Sequence, residues 1–189
     1  QPDLFDRALA ARRAELRGVR IRLSFSLRPR AVAEADPEGE SFQLLNWHFS
    51  GYDRGRHDAG VCSYIPMNFG EAPDYYRRFV DPIDVVCIKT TPMDERGCFN
   101  FSGSVTYHKA LCEKARVVVV ETCAAMPHVH GRQESLHASE VDYVIEGDDA
   151  PVPEVSNPPV TEVDRRVAAL IAAEVEDGAC LQIGIGGMP

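Results

Sequence analysis

The sequence predicts an α/β protein with an open, mostly parallel sheet flanked by helices. Two observations carry that prediction. The runs Ile83–Lys89 (IDVVCIK) and Arg116–Glu121 (RVVVVE) are almost continuously apolar, as strands covered on both faces are. A helix-length segment, Ser104–Ala115, lies between them, which is the strand–helix–strand order of a βαβ unit. With 189 residues, 44% of them hydrophobic and 26% charged, the chain is one full domain, or a domain and part of another.

The elements follow in order. Asp3 through Leu16 has helical periodicity, with Asp3 placed to cap it and Gly18 to stop it. Val19–Phe25 (VRIRLSF) alternates apolar and polar residues, as a half-buried strand does. Gln43–Phe49 and Val61–Ile65 read as further strands, and Ala72–Val80 as a helix. After the central βαβ unit comes a strand at Val141–Glu146. Residues 134–164 hold nine acids, no Lys or Arg, and four prolines (Pro151, Pro153, Pro158 and Pro159); this composition reads as an extended linker. Thr161-x-x-Asp164 then resembles a capping box opening a helix over Glu162–Glu176, closed by Gly178. A strand, Ala179–Ile185, and the glycine turn GIGGMP end the sequence. The boundary is expected near residue 155, giving a first domain at 1–154 and the opening of a second at 155–189. A lone strand and turn would leave an unpaired edge, so the chain is expected to be a fragment, cut at both ends.

Charge and composition exclude several classes. A net charge of −9 and a pI near 5.1 argue against nucleic-acid binding, which needs a basic footprint. No apolar run approaches the ~20 residues that span a bilayer, and Gln1–Leu9 lacks the apolar core of a signal peptide. Of six cysteines none forms a C-x-x-C pair, and Cys62, Cys87 and Cys180 sit in apolar runs. They read as reduced thiols, which points to the cytoplasm.

Several motifs could carry chemistry. In GIGGMP the glycines permit a sharp turn whose backbone N–H groups could cradle an anion or oxyanion, with Gln182 on the same strand end. The same residues fit a plain strand-to-helix turn, and Pro189 departs from G-x-G-x-x-G. The loop Thr90–Ser104 (TTPMDERGCFNFSGS) follows the strongest strand, and open parallel sheets bind ligands beyond the carboxyl ends of strands. It also fits a β-hairpin, with Ser104 as an N-cap. His128-Val129-His130, near Cys123, Glu134 and His137, lacks the spacing that would complete a tetrahedral metal site. The eight arginines of residues 1–30 read as solvated charge, with phosphate binding as the alternative. There is no G-x-S-x-G elbow and no recognisable cysteine nucleophile. Trp47 reads as core, and Tyr75-Tyr76-Arg77-Arg78 as the end of an amphipathic helix.

From Asp84 to Pro189 the sequence resembles the acetyl-CoA hydrolase/CoA-transferase family, of the 4-hydroxybutyrate and butyrate:acetate CoA-transferase kind. TPMDERGCFNF, SEVDYVIEGDDAPVPEVSNPPVTEVD and DGACLQIGIGGMP carry the likeness, and SYIPMNFGEAPDYYRRF matches more loosely. The resemblance implies two similar domains of the CoA-transferase (NagB/RpiA-like) type with the active site between them. It implies transfer of CoA from an acyl-CoA to a short-chain carboxylate through a glutamyl-CoA thioester. CoA is then a substrate, with no metal or other cofactor, and the full-length protein is expected to be a cytoplasmic homo-oligomer. The catalytic glutamate lies downstream of GIGGMP in the family, so no catalytic residue is expected in this chain, which alone should be inactive. By the family pattern Gln182, Gly184, Gly186 and Gly187 hold the thioester region, and Met93, Asn100 and Ser102 line the site from the first domain. An acetyl-CoA hydrolase and a non-catalytic CoA-transferase-like binding domain are the alternatives. A dinucleotide-binding domain lacks support.

Overall fold

The computed structural model describes residues 1–189 apart from 81, 104, 155–157, 183 and 185–189. They fall into two compact units, Gln1–Val152 and Pro153–Pro189.

The first unit runs α1 (Asp3–Ala11), β1 (Val19–Leu23), α2 (Ala31–Ala35), β2 (Phe42–Asn46), α3 (Gly51–Asp58), β3 (Cys62–Tyr64), α4 (Ala72–Phe79) and β4 (Ile83–Thr90). It continues with β5 (Cys98–Asn100), α5 (His108–Lys114), β6 (Ala115–Thr122), β7 (Ser135–His137) and β8 (Tyr143–Glu146). Its parallel strands are hydrogen-bonded as two groups of three, ordered β1-β2-β3 and β4-β6-β8, and β5 pairs antiparallel with β7. The expected βαβ unit is therefore present, with α5 lying in the crossover between β4 and its parallel partner β6.

Each strand group has its own core. Leu23, Val32, Ala33, Phe42, Leu44 and Cys62 close the first. Val86, Ile88, Phe99, Phe101, Val118, Val120 and Leu136 close the second. The run of valines in β6 is buried on both faces, since Val118, Val119 and Val120 are all buried. Each such side chain contributes about 1.5–3 kcal/mol by leaving water.

Helix boundaries differ from the sequence pattern for local reasons. The helix expected through Leu16 stops at Ala11 and tightens into a 3₁₀ turn, Arg13–Glu15. There Glu15 and Leu16 donate to carbonyls three residues back. Asp3 does not cap α1 with its own side chain; the N–H groups of Asp3 and Phe5 donate to the Glu121 carboxylate instead, at 2.8 and 2.9 Å. The helix expected from Ser104 begins at His108, because Tyr107 is held out of helical geometry. Its ring stacks on Tyr76 at 5.3 Å and meets Trp47 edge-on at 5.5 Å. Ser104 itself lies outside the described residues. Trp47 is core, as expected.

The second unit contains α6 (Glu162–Ala172). Its capping box is the expected one: Thr161 Oγ1 accepts from the Asp164 N–H, and the Thr161 N–H donates to the Asp164 carboxylate at 2.7 Å. The helix ends four residues before Glu176, its last turns bonding in i−3 fashion. The strand expected at Ala179–Ile185 is a correction: residues 179–182 and 184 are not in a strand. A strand exists only against a partner, and the unit has no other strand among the described residues.

Candidate functional site

The arm that follows β4 is a tight hairpin. Thr91 N–H donates to the Asn100 carbonyl at 2.9 Å and Asp94 N–H to the Cys98 carbonyl at 2.9 Å. At the tip, the Asp94 carboxylate accepts the N–H groups of Arg96 and Cys98. Those donors and the Arg96 guanidinium hold the carboxyl below its ordinary range. Gly97 has φ +75°, and a Cβ there would lie 3.3 Å from His137 Nε2. The reading of Thr90–Ser104 as a hairpin therefore describes its backbone. It stands at the carboxyl end of β4, where open parallel sheets bind ligands.

The three candidates of this arm have different surroundings. Met93 is 56% exposed. It lines a depression of about 340 Å³ with Pro92, Phe99, Thr122, Ala138, Val141, Val144 and Glu146. Asn100 is buried. Its amide oxygen accepts from Ser102 N–H at 2.9 Å and Val129 N–H at 3.1 Å, and its Nδ2 donates to the Val129 carbonyl at 2.9 Å. It thus ties the loop before β7 to the loop after β5. Ser102 is buried beside it with φ +57°. Gln182 and Gly184 belong to the second unit and are exposed. Gly186 and Gly187 lie outside the described residues.

Behind the carboxyl ends of β4 and β6 sits a buried charge cluster. Lys89 Nζ lies 2.7 Å from Asp3 Oδ2 and 3.5 Å from Glu121 Oε1, and Arg28 reaches Asp3 at 2.9 Å. Burial pulls the Lys89 ammonium down, but Asp3 and Glu121 outweigh it and hold it above its ordinary value. Sequence reasoning missed this cluster. IDVVCIK and RVVVVE each end in one charge of opposite sign, and that was the available signal.

Of the eight arginines in residues 1–30, Arg7, Arg12, Arg13 and Arg28 each lie within 3.1 Å of a carboxylate. Burial pushes the thiols of Cys62 up to about 11 and of Cys87 and Cys112 up to about 12, which keeps them protonated and poor nucleophiles. All six cysteines are free. The rings of His128 and His130 are 5.1 Å apart. Among the described residues no group of three or more His, Cys, Asp or Glu could hold a metal ion, and no helix is long and apolar enough to cross a membrane.

Known proteins match this arrangement along the whole chain. The family described as the acetyl-CoA hydrolase/transferase N-terminal domain matches residues 1–156. The butyryl-CoA:acetate CoA-transferase of Anaerostipes caccae is 38% identical over 190 residues, covering 100% of this chain and 43% of that protein. The succinyl-CoA:cyclohexane-1-carboxylate CoA transferase of Geobacter metallireducens is 39% identical over 189 residues, covering 100% of this chain and 42% of its own length. Among solved structures, RipA from Yersinia pestis superposes with a TM-score of 0.85 at 26% identity, over 100% of this chain and 46% of that one. The 4-hydroxybutyrate CoA-transferase of Porphyromonas gingivalis gives 0.70 at 25% identity, over 97% of this chain and 48% of that one. The chain thus spans less than half the length of each of these relatives. It belongs to the acetyl-CoA hydrolase/transferase family, and residues 1–156 are the N-terminal domain of that family.

Proposed function

We propose that this chain is the first-domain part of an acyl-CoA:carboxylate CoA-transferase, moving CoA between a short-chain acyl-CoA and acetate or a similar acid. The observation that carries the reading is 38% identity to a butyryl-CoA:acetate CoA-transferase over the entire chain. In this scheme a glutamate carboxylate beyond Pro189 attacks the thioester carbonyl, expelling CoA thiolate and leaving an acyl-glutamyl anhydride. The thiolate then attacks the glutamyl carbonyl, releasing the first acid and leaving glutamyl-CoA. The second carboxylate reverses the two steps. CoA is a substrate throughout, and the scheme uses no resident cofactor.

The chain's own residues bind and shape. Backbone amides of Gly184, Gly186 and Gly187, with the Gln182 side chain, meet negative charge on the thioester oxygen. Met93 lines the first-domain wall, and Asn100 and Ser102 fix the loop that carries it. The compact unit Gln1–Val152 supports a first domain at 1–154 and a second opening at 155–189. The whole enzyme works as a cytoplasmic homo-oligomer.

The test is chromatography of acyl-CoA species after mixing the full-length gene product with butyryl-CoA, with and without acetate. Acetyl-CoA formed only with acetate, in amounts equal to the butyryl-CoA lost, is the expected result. Free CoA released without acetate would make the protein a hydrolase. No turnover of any acyl-CoA would leave a binding domain and end the transferase reading.

A further inference from the structure

Three parallel strands, β4, β6 and β8, end side by side, and the depression of about 340 Å³ that Met93 lines opens at those ends. Pro92 lies two residues beyond β4, Thr122 closes β6 and Glu146 closes β8. The next residue, Gly147, fixes how the last two strands meet. A Cβ on it would stand 1.9 Å from the Thr122 carbonyl oxygen, so the chain leaving β8 approaches β6 more closely than any side chain would allow. Phe99 is buried beneath the depression, while Met93 and Val144 on its wall are both more than half exposed. Large apolar side chains facing a concavity at the carboxyl ends of parallel strands are what an apolar ligand needs.

The charge of the depression is one-sided. Among the described residues that line it, Glu146 is the only ionisable one, and none is basic. An alkyl chain entering it would leave water for apolar surface, a gain that grows with each methylene. An acyl chain ending in a carboxylate would shed hydration without meeting a cation, and would face the like charge of Glu146. Two relatives of nearly equal identity, named for butyryl-CoA and for succinyl-CoA, differ in this respect, one acyl group ending in a methyl and the other in a carboxylate. Identity alone does not choose between them.

We infer that this depression is the subsite for the acyl chain, that it takes uncharged alkyl acyl groups rather than dicarboxylic ones, and that Met93 is a specificity-determining residue on its wall. This rests on the transferase reading above. The unbranched thioether side chain of Met93 adapts to chains of different length, and its contact grows as the chain lengthens.

The experiment uses the full-length gene product as wild type, Met93→Ala and Val144→Arg, with acetyl-, butyryl- and succinyl-CoA and a common acceptor acid. The wild type is expected to favour butyryl-CoA over succinyl-CoA by at least about tenfold in kcat/KM. Met93→Ala should lower kcat/KM for butyryl-CoA about tenfold relative to acetyl-CoA. Val144→Arg adds a cation to the wall and should raise the succinyl-to-butyryl ratio about tenfold. These ratios do not depend on the fraction of enzyme folded, so a variant that folds poorly still reports. A wild type that uses succinyl-CoA as well as butyryl-CoA, or a ratio that either variant leaves unchanged, would overturn the inference, while turnover of any acyl-CoA left the transferase reading intact. A wild type that transfers CoA from none of the three would overturn both.

Discussion

Lys89 and Glu121 are register partners on neighbouring parallel strands, and their charged ends lie 3.5 Å apart at a point where Glu121 has no contact with solvent. The carboxylate also accepts the first free N–H groups of α1, from Asp3 and Phe5, so a strand residue caps a helix more than a hundred positions earlier in the chain. A negative group at a helix N-terminus gains from the helix dipole as well as from its hydrogen bonds. The cluster therefore docks α1 at the carboxyl end of the sheet.

Removing one partner from such a cluster leaves a buried charge uncompensated. Glu121→Ala is expected to cost about 3–5 kcal/mol, read as a lower midpoint in urea unfolding. Glu121→Ala combined with Lys89→Met should cost clearly less than the sum of the two single changes, because the pair is coupled. Additive losses would show that the two charges act independently.

Glycine substitutions should have opposite signs at two positions. Gly97 has φ +75° and a side chain would crowd His137, so Gly97→Ala should destabilise by about 1–2 kcal/mol. Gly55 lies inside α3, and a Cβ added there would meet nothing within 4 Å. Gly55→Ala should stabilise by about 0.5–1 kcal/mol. Thermal melts of the two variants check both signs.

Acid should loosen the first strand group. Burial alone would raise the Asp36 carboxyl, but N–H groups of Phe42 and Ser41 and the Arg13 guanidinium outweigh it and hold it below its ordinary 3.8. Asp53 behaves alike, burial being outweighed by Ser50 and Ser26. Both carboxylates bind fewer protons folded than unfolded, so their stabilisation is complete above the unfolded value. It is lost as pH falls through the lower folded one. The melting temperature should drop once pH goes below about 4, and Asp36→Asn should flatten that drop. A melting temperature that rises on acidification would contradict the assignment.

Asn100 offers a fourth check. All three of its side-chain bonds serve the loops around residues 101 and 129. Asn100→Ala should cost about 2–4 kcal/mol, by lost bonds and stranded backbone groups. Asn100→Asp should not rescue it, since a carboxylate cannot donate to the Val129 carbonyl. Full stability in the alanine variant would exclude the tying role.

The parts of the fold that are visible in the sequence are those fixed by local pattern. The apolar runs of β4 and β6 and the Thr161–Asp164 capping box appear where their residues suggest. Helix α3 escaped because GYDRGRHD carries no apolar stripe; its one local signal is the Ser50–Asp53 capping box. Strand β7, only three residues long, exists through pairing with β5 rather than through its own propensity. Of the candidate site, the arm after β4 is visible because it follows one of the two nearly continuous apolar runs. The Lys89–Glu121–Asp3 cluster depends on which segments meet, and a linear pattern does not encode that.

The most direct test of the transferase reading is the intact mass of the full-length gene product before and after mixing with acetyl-CoA. A CoA-sized adduct is expected, and it should disappear when free acetate is added, as the glutamyl-CoA thioester is discharged. Catalytic turnover with no adduct at any time would rule out the covalent glutamyl-CoA scheme.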